Sequence, residues 1–483
     1  MFKYIKKLTK HSFIYGFGDL LYKGLNIILI PLYTRYLTTS DYGIIEVVRS
    51  IGSILLILYT LGLDSALARY YFDYKDISKL KEYIFTILSG ILLSGLLITF
   101  FLNFSENIFF TWVKDIKFDP YIKLTLWTSF FLVFPTIFLV FLQVQEKSFK
   151  YILFQLLQAI LLLATIIYFV VYLKEGAYGQ IKARFFAIFL AAILTLCFFS
   201  KHLKPSFQFK EYINSLKYGL PITIHSLSWW ILSLSNRLIL QRYVPLKEVG
   251  IYSLGHNIGM GMEIILASFN RAWVPFLFSS ADKESPSLFA TLSKYYIGVI
   301  VLIGFTISIF SKEIIMLLST KSFYTSYEIV PIIILSYIFI GIYMMLTNQI
   351  FYKKKTHYFL IITPLSAIIN IVLNFVLIPK YGMYGAAFST LFSFFAFAMI
   401  TYVFSIKVFP IPYEKTKIVF LIFIGVALFL ISRSLINFSL FVNMVVKIFF
   451  IILFCFLLWI LGYISKEDKI KIINKIKVWL GNQ

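Results

Sequence analysis

Across 483 residues the chain is 60% hydrophobic, 19% aromatic and only 14% charged, with a mean hydropathy of +0.86. That much apolar surface excludes a water-soluble globule, whose exterior must be largely polar, and leaves lipid as the solvent. The formal charge of +23 would suit nucleic acid, but the placement of the charges points elsewhere.

A membrane-spanning helix needs about 20 mostly apolar residues. Fourteen such runs follow one another, centred near residues 22, 53, 92, 131, 161, 190, 228, 262, 302, 340, 369, 394, 427 and 452. With the N-terminus placed in the cytoplasm, 27 of the 45 basic residues fall in inner segments and 11 in outer ones. This bias follows the positive-inside rule, and an even number of spans puts both termini in the cytoplasm. The basic excess is therefore read as a topology signal, and nucleic acid is not expected as a partner.

The opening MFKYIKKLTKH is basic and runs into the first span with no small-residue cleavage site, so no removable signal peptide is expected. The first span is broken by polar residues. Asp19 and Lys23 lie near its middle, four residues apart and so on one face. Glu46 and Arg49 share a face in the outer half of the second span, and Asp64 lies near its inner end. In the seventh span Ser226, Ser233 and Arg237 form a polar stripe beside His225 and Trp229. In the eighth, His256, Glu263 and Asn270 recur every seven residues, followed by Arg271.

Ionisable groups inside a membrane are costly, and they usually face a bundle interior or a watery cavity. On that reading Lys23, Arg49, Arg237 and Arg271, with His225 and His256, line a cationic cavity. Arginine suits phosphate oxygens because its planar fork can bind them bidentately. Trp229, Trp230 and Tyr22 would then pack against sugar rings, and Asp19, Glu46, Asp64 or Glu263 would exchange a proton or sodium ion. A plainer reading stands beside it. Asp19–Lys23 and Glu46–Arg49 also fit neutral intrahelical pairs. Arg237, Arg271, Asp64 and Lys447 also fit side chains that snorkel to an interface, and Lys182 and Arg184 lie close to an outer boundary.

The chain repeats itself. RYLTTSDYGI at 35–44 matches RYVPLKEVGI at 242–251, an offset of 207. At an offset of 206, Ser105 falls on Ser311, Tyr121 on Tyr327 and Gln143 on Gln349. YLKEGAYG at 172–179 likewise falls on IPKYGMYG at 378–385. The expected fold is an all-α polytopic membrane protein of fourteen helices. Two six-helix lobes, 1–205 and 206–411, form a parallel pseudo-two-fold repeat, followed by two further spans over 412–464. KEDKIKIINKIKVWL, within a tail at 465–483, is a basic amphipathic pattern suited to the anionic inner leaflet. The duplicated motifs sit at outer turns and read as structural.

Several stretches carry a family resemblance: IPLYTRYLTTSDYGI (30–44), LGLDSALARYYFDYKD (61–76), EVGIYSLGHNIG (248–259) and NFVLIPKYGMYGAAFST (374–390). In these the chain resembles bacterial polysaccharide and O-antigen flippases. They are the oligosaccharide-lipid branch of the superfamily that includes multidrug and toxin extrusion proteins. The resemblance implies movement of an undecaprenyl-pyrophosphate-linked glycan to the outer leaflet of the bacterial inner membrane. The implied partners are membrane lipids and glycan polymerase or glycosyltransferases, and the implied state is a monomer. One departure is Asn236 in LSNRLIL (234–240), where relatives often carry an acid; an ion-coupling role at that position is in doubt here.

No GxxxxGK[ST] loop is present, so ATP hydrolysis is not expected. The five histidines are scattered, Cys197 and Cys455 lie inside apolar runs, and nothing resembles a nucleophile–base–acid set. No enzymatic activity, metal or other cofactor is expected, apart from a coupling H+ or Na+. A glycan polymerase or ligase would need a large outer loop, and the longest here, near 103–120 and 311–328, are short. The alternative reading is a cation-coupled exporter of amphipathic drugs or metabolites on the same fold.

Overall fold

In a computed structural model, the described residues are 24, 28–105, 112–113, 115–281, 284–435, 440–460 and 463. Asp19, Tyr22, Lys23 and the 465–483 tail lie outside them. Sixteen α-helices follow in order. The first eight are α1 (Ile30–Tyr36), α2 (Thr39–Thr60), α3 (Leu63–Tyr70), α4 (Ile77–Phe104), α5 (Lys123–Val144), α6 (Ser148–Ile166), α7 (Gly176–Phe199) and α8 (Phe209–Tyr243). The rest are α9 (Leu246–Met260), α10 (Met262–Ser280), α11 (Pro286–Ile309), α12 (Ser311–Leu318), α13 (Val330–Tyr352), α14 (Phe359–Val408), α15 (Lys415–Leu435) and α16 (Leu440–Ile460).

The all-helical, polytopic architecture expected from the apolar runs is the one observed. Among the described residues, ten helical segments are long and apolar enough to cross a membrane. One of them contains α14, whose 50 residues hold two of the expected spans, divided where Pro379 is followed by Gly382 at φ 53°. The helix α8 has 35 residues but a more polar composition, and the eighth expected span is written as two helices, α9 and α10.

Local chemistry sets the helix ends. Thr38 and Asp41 form a capping box at the start of α2: Asp41 N–H donates to Thr38 Oγ1 at 3.1 Å and Thr38 N–H donates to Asp41 Oδ2 at 3.0 Å. The same helix stops at Leu61 and Gly62, both left-handed. The end of α8 falls at Val244, which is extended, as expected for the residue before Pro245.

The chain forms two compact units. The first contains residues 1–258, 315–329 and 356–396. Its centre is α5 packed on α7 and α2. Phe138, Phe141, Phe198 and Phe199 interlock there, with ring centroids 4.7–6.4 Å apart across the set and its neighbour Phe154. The N-terminal half of α8 comes close to α3, with the backbones of Gly219 and Gly62 in direct contact.

The repeat appears in this unit as paired contacts. Gly43 of α2 faces the backbone of Leu246 and Gly250 of α9, and Gly250 faces the backbone of Thr39 and Gly43. Thr39 and Leu246 are themselves equivalent at the 207-residue offset. A Cβ on either glycine would overlap a carbonyl oxygen of the other helix. A second duplicated contact follows. Asp41 Oδ1 accepts the Ala177 N–H at 3.2 Å, one residue after Gly176 at φ 60°. Glu248 Oε1 accepts the Met383 N–H at 2.9 Å, one residue after Gly382 at φ 53°. The duplicated acid and glycine of each motif thus clasp a helix end to a turn, and positive φ explains the glycines.

The second unit contains 259–314, 330–355 and 397–483. Here α11 packs on α13 and α15. Lys294 Nζ donates to Glu414 Oε1 at 2.7 Å, Lys417 pairs with the same carboxylate, and the Tyr463 hydroxyl donates to the Lys294 carbonyl. Glu414 is held below its ordinary pKa, first by its hydrogen bonds from Lys294 and Lys417. Lys447 corrects an expectation. It does not snorkel: it is 1% exposed and pairs with Glu313 at 2.6 Å. A carboxylate on α12 supplies a partner that its own helix lacks.

Candidate functional site

The site in the first unit grows from two stripes of polar residues. On α2 the i,i+3 spacing places Glu46 beside Arg49, and Arg49 Nη1 lies 2.8 Å from Glu46 Oε1. From α8, Arg237 Nε approaches the other carboxylate oxygen at 3.3 Å. Glu46 is 2% exposed and Arg237 1%, so Arg237 does not snorkel; it is one of the most buried large side chains of the protein.

Its remaining donors are used inward. Arg237 Nη2 donates to Asn257 Oδ1 at 3.0 Å and to His256 Nδ1 at 3.3 Å, and Nη1 donates to the Ser233 carbonyl. His256 thus accepts through Nδ1 and is fully buried. Asn257 Nδ2 in turn donates to the Tyr42 hydroxyl at 3.1 Å. A buried cation held this way, by one carboxylate and several neutral acceptors, is the arrangement low-dielectric surroundings require.

Arg49 also faces a cavity of about 140 Å³ between α2, α5 and α7. Arg184 of α7 also lines it, with Ser53, Thr125, Ser129 and Gln180 set among apolar side chains such as Val48, Leu132 and Ile181. Gln180 Nε2 also donates to the Tyr33 hydroxyl at 3.4 Å. Two guanidinium groups lining one small cavity can hold an anion by charge and by directed N–H donors. Sequence reasoning set Arg184 near a boundary. The signal that finds it is depth: eight residues into α7 is about 12 Å along the axis.

A second buried polar cluster was also missed. Asn236 Nδ2 donates to Thr390 Oγ1 at 2.6 Å, to the Tyr252 hydroxyl and to the Ala386 carbonyl. Asn374 Nδ2 donates to Asn236 Oδ1 and to Asn370 Oδ1, each at 2.8 Å. Asn236 is thus the hub of a neutral amide network.

The other expected residues are dispersed. His225 Nδ1 meets Thr363 Oγ1 at 3.0 Å, away from Arg237 and His256. Asp64 is half-buried against a separate cavity. Arg271 is exposed on α10. The seven-residue stripe does not act as one set: His256 belongs to the Arg237 network of the first unit, whereas Glu263 and Asn270 belong to the second, where Asn348 Nδ2 donates to Asn270 Oδ1 at 2.6 Å. Trp230 is a packing residue, donating to the Ser50 carbonyl at 3.0 Å and to Ser53 Oγ at 2.9 Å. Trp229 stacks on Phe394 at 6.3 Å. Among the described residues no three His, Cys, Asp or Glu side chains converge as a metal site would need.

Comparison with known proteins places this geometry. A family model described as Polysaccharide biosynthesis protein matches residues 8–281. A protein of the Lsg locus of Haemophilus influenzae is 25% identical over 383 residues, 76% of this chain and 90% of that protein. Among solved structures, the lipid II flippase MurJ in an inward closed conformation superposes with a TM-score of 0.74 at 14% identity, covering 92% of this chain and 98% of MurJ. An inward-facing multidrug resistance transporter of the MATE family, in the MOP superfamily, gives 0.63 at 13% identity, covering 79% and 93%. The fold is thus shared with the solved structures of MurJ and of the MATE-family protein, and the chain, a multi-pass membrane protein, belongs to the polysaccharide biosynthesis protein family.

Proposed function

We propose that this protein is a flippase that carries an undecaprenyl-pyrophosphate-linked oligosaccharide from the cytoplasmic to the outer leaflet of a bacterial inner membrane. The product would feed a surface polysaccharide, whether O-antigen, capsule or exopolysaccharide. The observation that carries the reading is the pair Arg49 and Arg184 lining one cavity within an apolar chain. A pyrophosphate offers the anionic oxygens such forks bind, and the polyprenyl tail stays in lipid while the head group crosses. Both the family and a fold shared with a lipid flippase support it.

On this proposal the duplicated halves, 1–205 and 206–411, exchange access between the two sides, with both termini in the cytoplasm. The Glu46–Arg237–His256 network holds Arg49 in place. Energy would come from an ion gradient.

The test is transport in vesicles of a fluorescent pyrophosphate-linked sugar lipid by the purified full chain. The expected result is movement that falls at least about tenfold when Arg49 and Arg184 are both changed to Gln, the scale of one lost charge-assisted contact. Unchanged movement in that variant overturns the proposal. So does wild-type protein that moves a cationic amphipathic drug and leaves the sugar lipid in place.

A further inference from the structure

The second unit holds a cavity of about 600 Å³ between α10 and α11. The sequence builds it from one face of each helix. Phe269, Trp273 and Phe276 recur at helical spacing on α10, as do Tyr295, Tyr296 and Val299 on α11. Its volume falls within the ~300–1,000 Å³ typical of small-molecule sites. We infer that this cavity binds a neutral, flat, membrane-soluble molecule that carries a carbonyl oxygen, of the kind a quinone presents.

Every side chain that lines the cavity is uncharged, so a charged ligand would lose its hydration there with no counter-ion to replace it. The rings already form a stack. Phe269 lies against Tyr296 with centroids 3.8 Å apart and planes 16° from parallel, and against Trp273 at 5.7 Å and 23°. A flat conjugated ring extends such a stack. The lining also contains a buried donor with no acceptor. Trp273 is 6% exposed, and its indole N–H has no hydrogen-bond partner among the described residues. The Tyr296 hydroxyl, by contrast, donates to the Gly341 carbonyl at 3.4 Å. An unpaired buried N–H is costly, and a carbonyl oxygen brought by a ligand removes that cost.

Other ligand classes fit less well. A saturated acyl chain would fill the space and leave the indole N–H unpaired. A quaternary cation suits an aromatic cage, but the group left over here is a donor, and Lys294 already places its ammonium 5.3 Å from the Tyr295 ring. A pyrophosphate finds no lysine or arginine in the lining, so the site is distinct from the Arg49–Arg184 cavity of the first unit. Entry is from the bilayer: α11 is long and apolar enough to cross a membrane, and the lining residues Phe276 and Val299 remain exposed.

Binding is measured without transport, so its failure and that of the flippase reading are separable. The purified full chain in detergent is unfolded by heat with increasing dimethylnaphthoquinone, and separately with dimethylnaphthalene, a hydrocarbon of the same two-ring shape that lacks the carbonyls. A ligand bound to the folded state raises the midpoint in a saturable way. The expected result is such a rise with the quinone, and a half-saturating concentration about tenfold higher for the hydrocarbon, the scale of one lost hydrogen bond. Trp273→Phe keeps a ring and removes the donor, and it is expected to bring the quinone to the hydrocarbon's value. Val299→Trp, which fills the cavity from an exposed position, is expected to abolish both responses. No saturable rise with the quinone overturns the proposal, as do equal half-saturating concentrations for the two compounds or a quinone preference that Trp273→Phe retains. If Trp273→Phe does not fold, Val299→Trp decides: a quinone response of wild-type size overturns it.

Discussion

Arg237 Nε lies 3.3 Å from Glu46 Oε2, and both side chains are almost wholly withdrawn from solvent. Removing one partner of such a pair strands the other charge. Glu46→Leu is therefore expected to cost about 3–5 kcal/mol of stability, whereas Glu46→Leu combined with Arg237→Met recovers part of it, Arg49 still lacking its carboxylate. Thermal unfolding of the single and double variants in detergent checks this. Equal losses in both would show that the ion pair is not what holds the two helices there.

The duplicated clasp predicts an asymmetry. Asp41 and Glu248 each accept a backbone N–H from the turn after a left-handed glycine. Asp41 also completes the Thr38 capping box. Losing the clasp alone costs about 1.5–3 kcal/mol, the range for a bond to a charged acceptor. Asp41→Ala adds a lost cap, worth about 1 kcal/mol. Asp41→Ala should thus destabilise more than Glu248→Ala, and the two should act additively in a double-mutant cycle of midpoints.

At Gly43 and Gly250 a methyl group has no room, because backbone rather than a flexible side chain fills the space. Gly43→Ala is expected to abolish the folded peak in size-exclusion chromatography. A normal elution profile would mean that α2 and α9 can separate at little cost.

How far the sequence disclosed all this depends on range. Glu46 and Arg49 were legible as a pair because three residues on one helix decide it. Arg237 joins them from 191 positions downstream, and no periodicity within α8 can announce that. Lys447 was misread for the same reason: its partner Glu313 sits in the short helix α12, distant in sequence. The repeat was legible because landmarks at one offset need no tertiary knowledge. The Asn236–Asn374 network was not, since isolated amides in apolar runs carry no spacing rule.

Lys447 and Glu313 give a directional prediction. Lys447 is 1% exposed and Glu313 18%. Glu313→Gln leaves a buried ammonium without its anion, whereas Lys447→Met leaves a carboxylate with some access to water. Glu313→Gln should therefore be the more destabilising, by about 1 kcal/mol or more. The reverse order in unfolding midpoints would place the burden on the carboxylate.

Glu414 offers a pH handle outside the spans. Lys294 and Lys417 hold its pKa below the ordinary 4.5. A depressed folded value stabilises the fold above the ordinary pKa, and the stabilisation is lost as pH falls through the folded value. The wild-type midpoint should thus fall more steeply than that of Glu414→Gln below about pH 4.5, with the two running parallel above it. Parallel curves throughout would remove Glu414 from the acid response.

The Gly43–Gly250 crossing is reciprocal. A patch that meets its own copy requires no second surface to be invented, which is the geometry of a two-fold homodimer. The join between α2 and α9 therefore has the form of a two-fold subunit boundary made within one continuous chain.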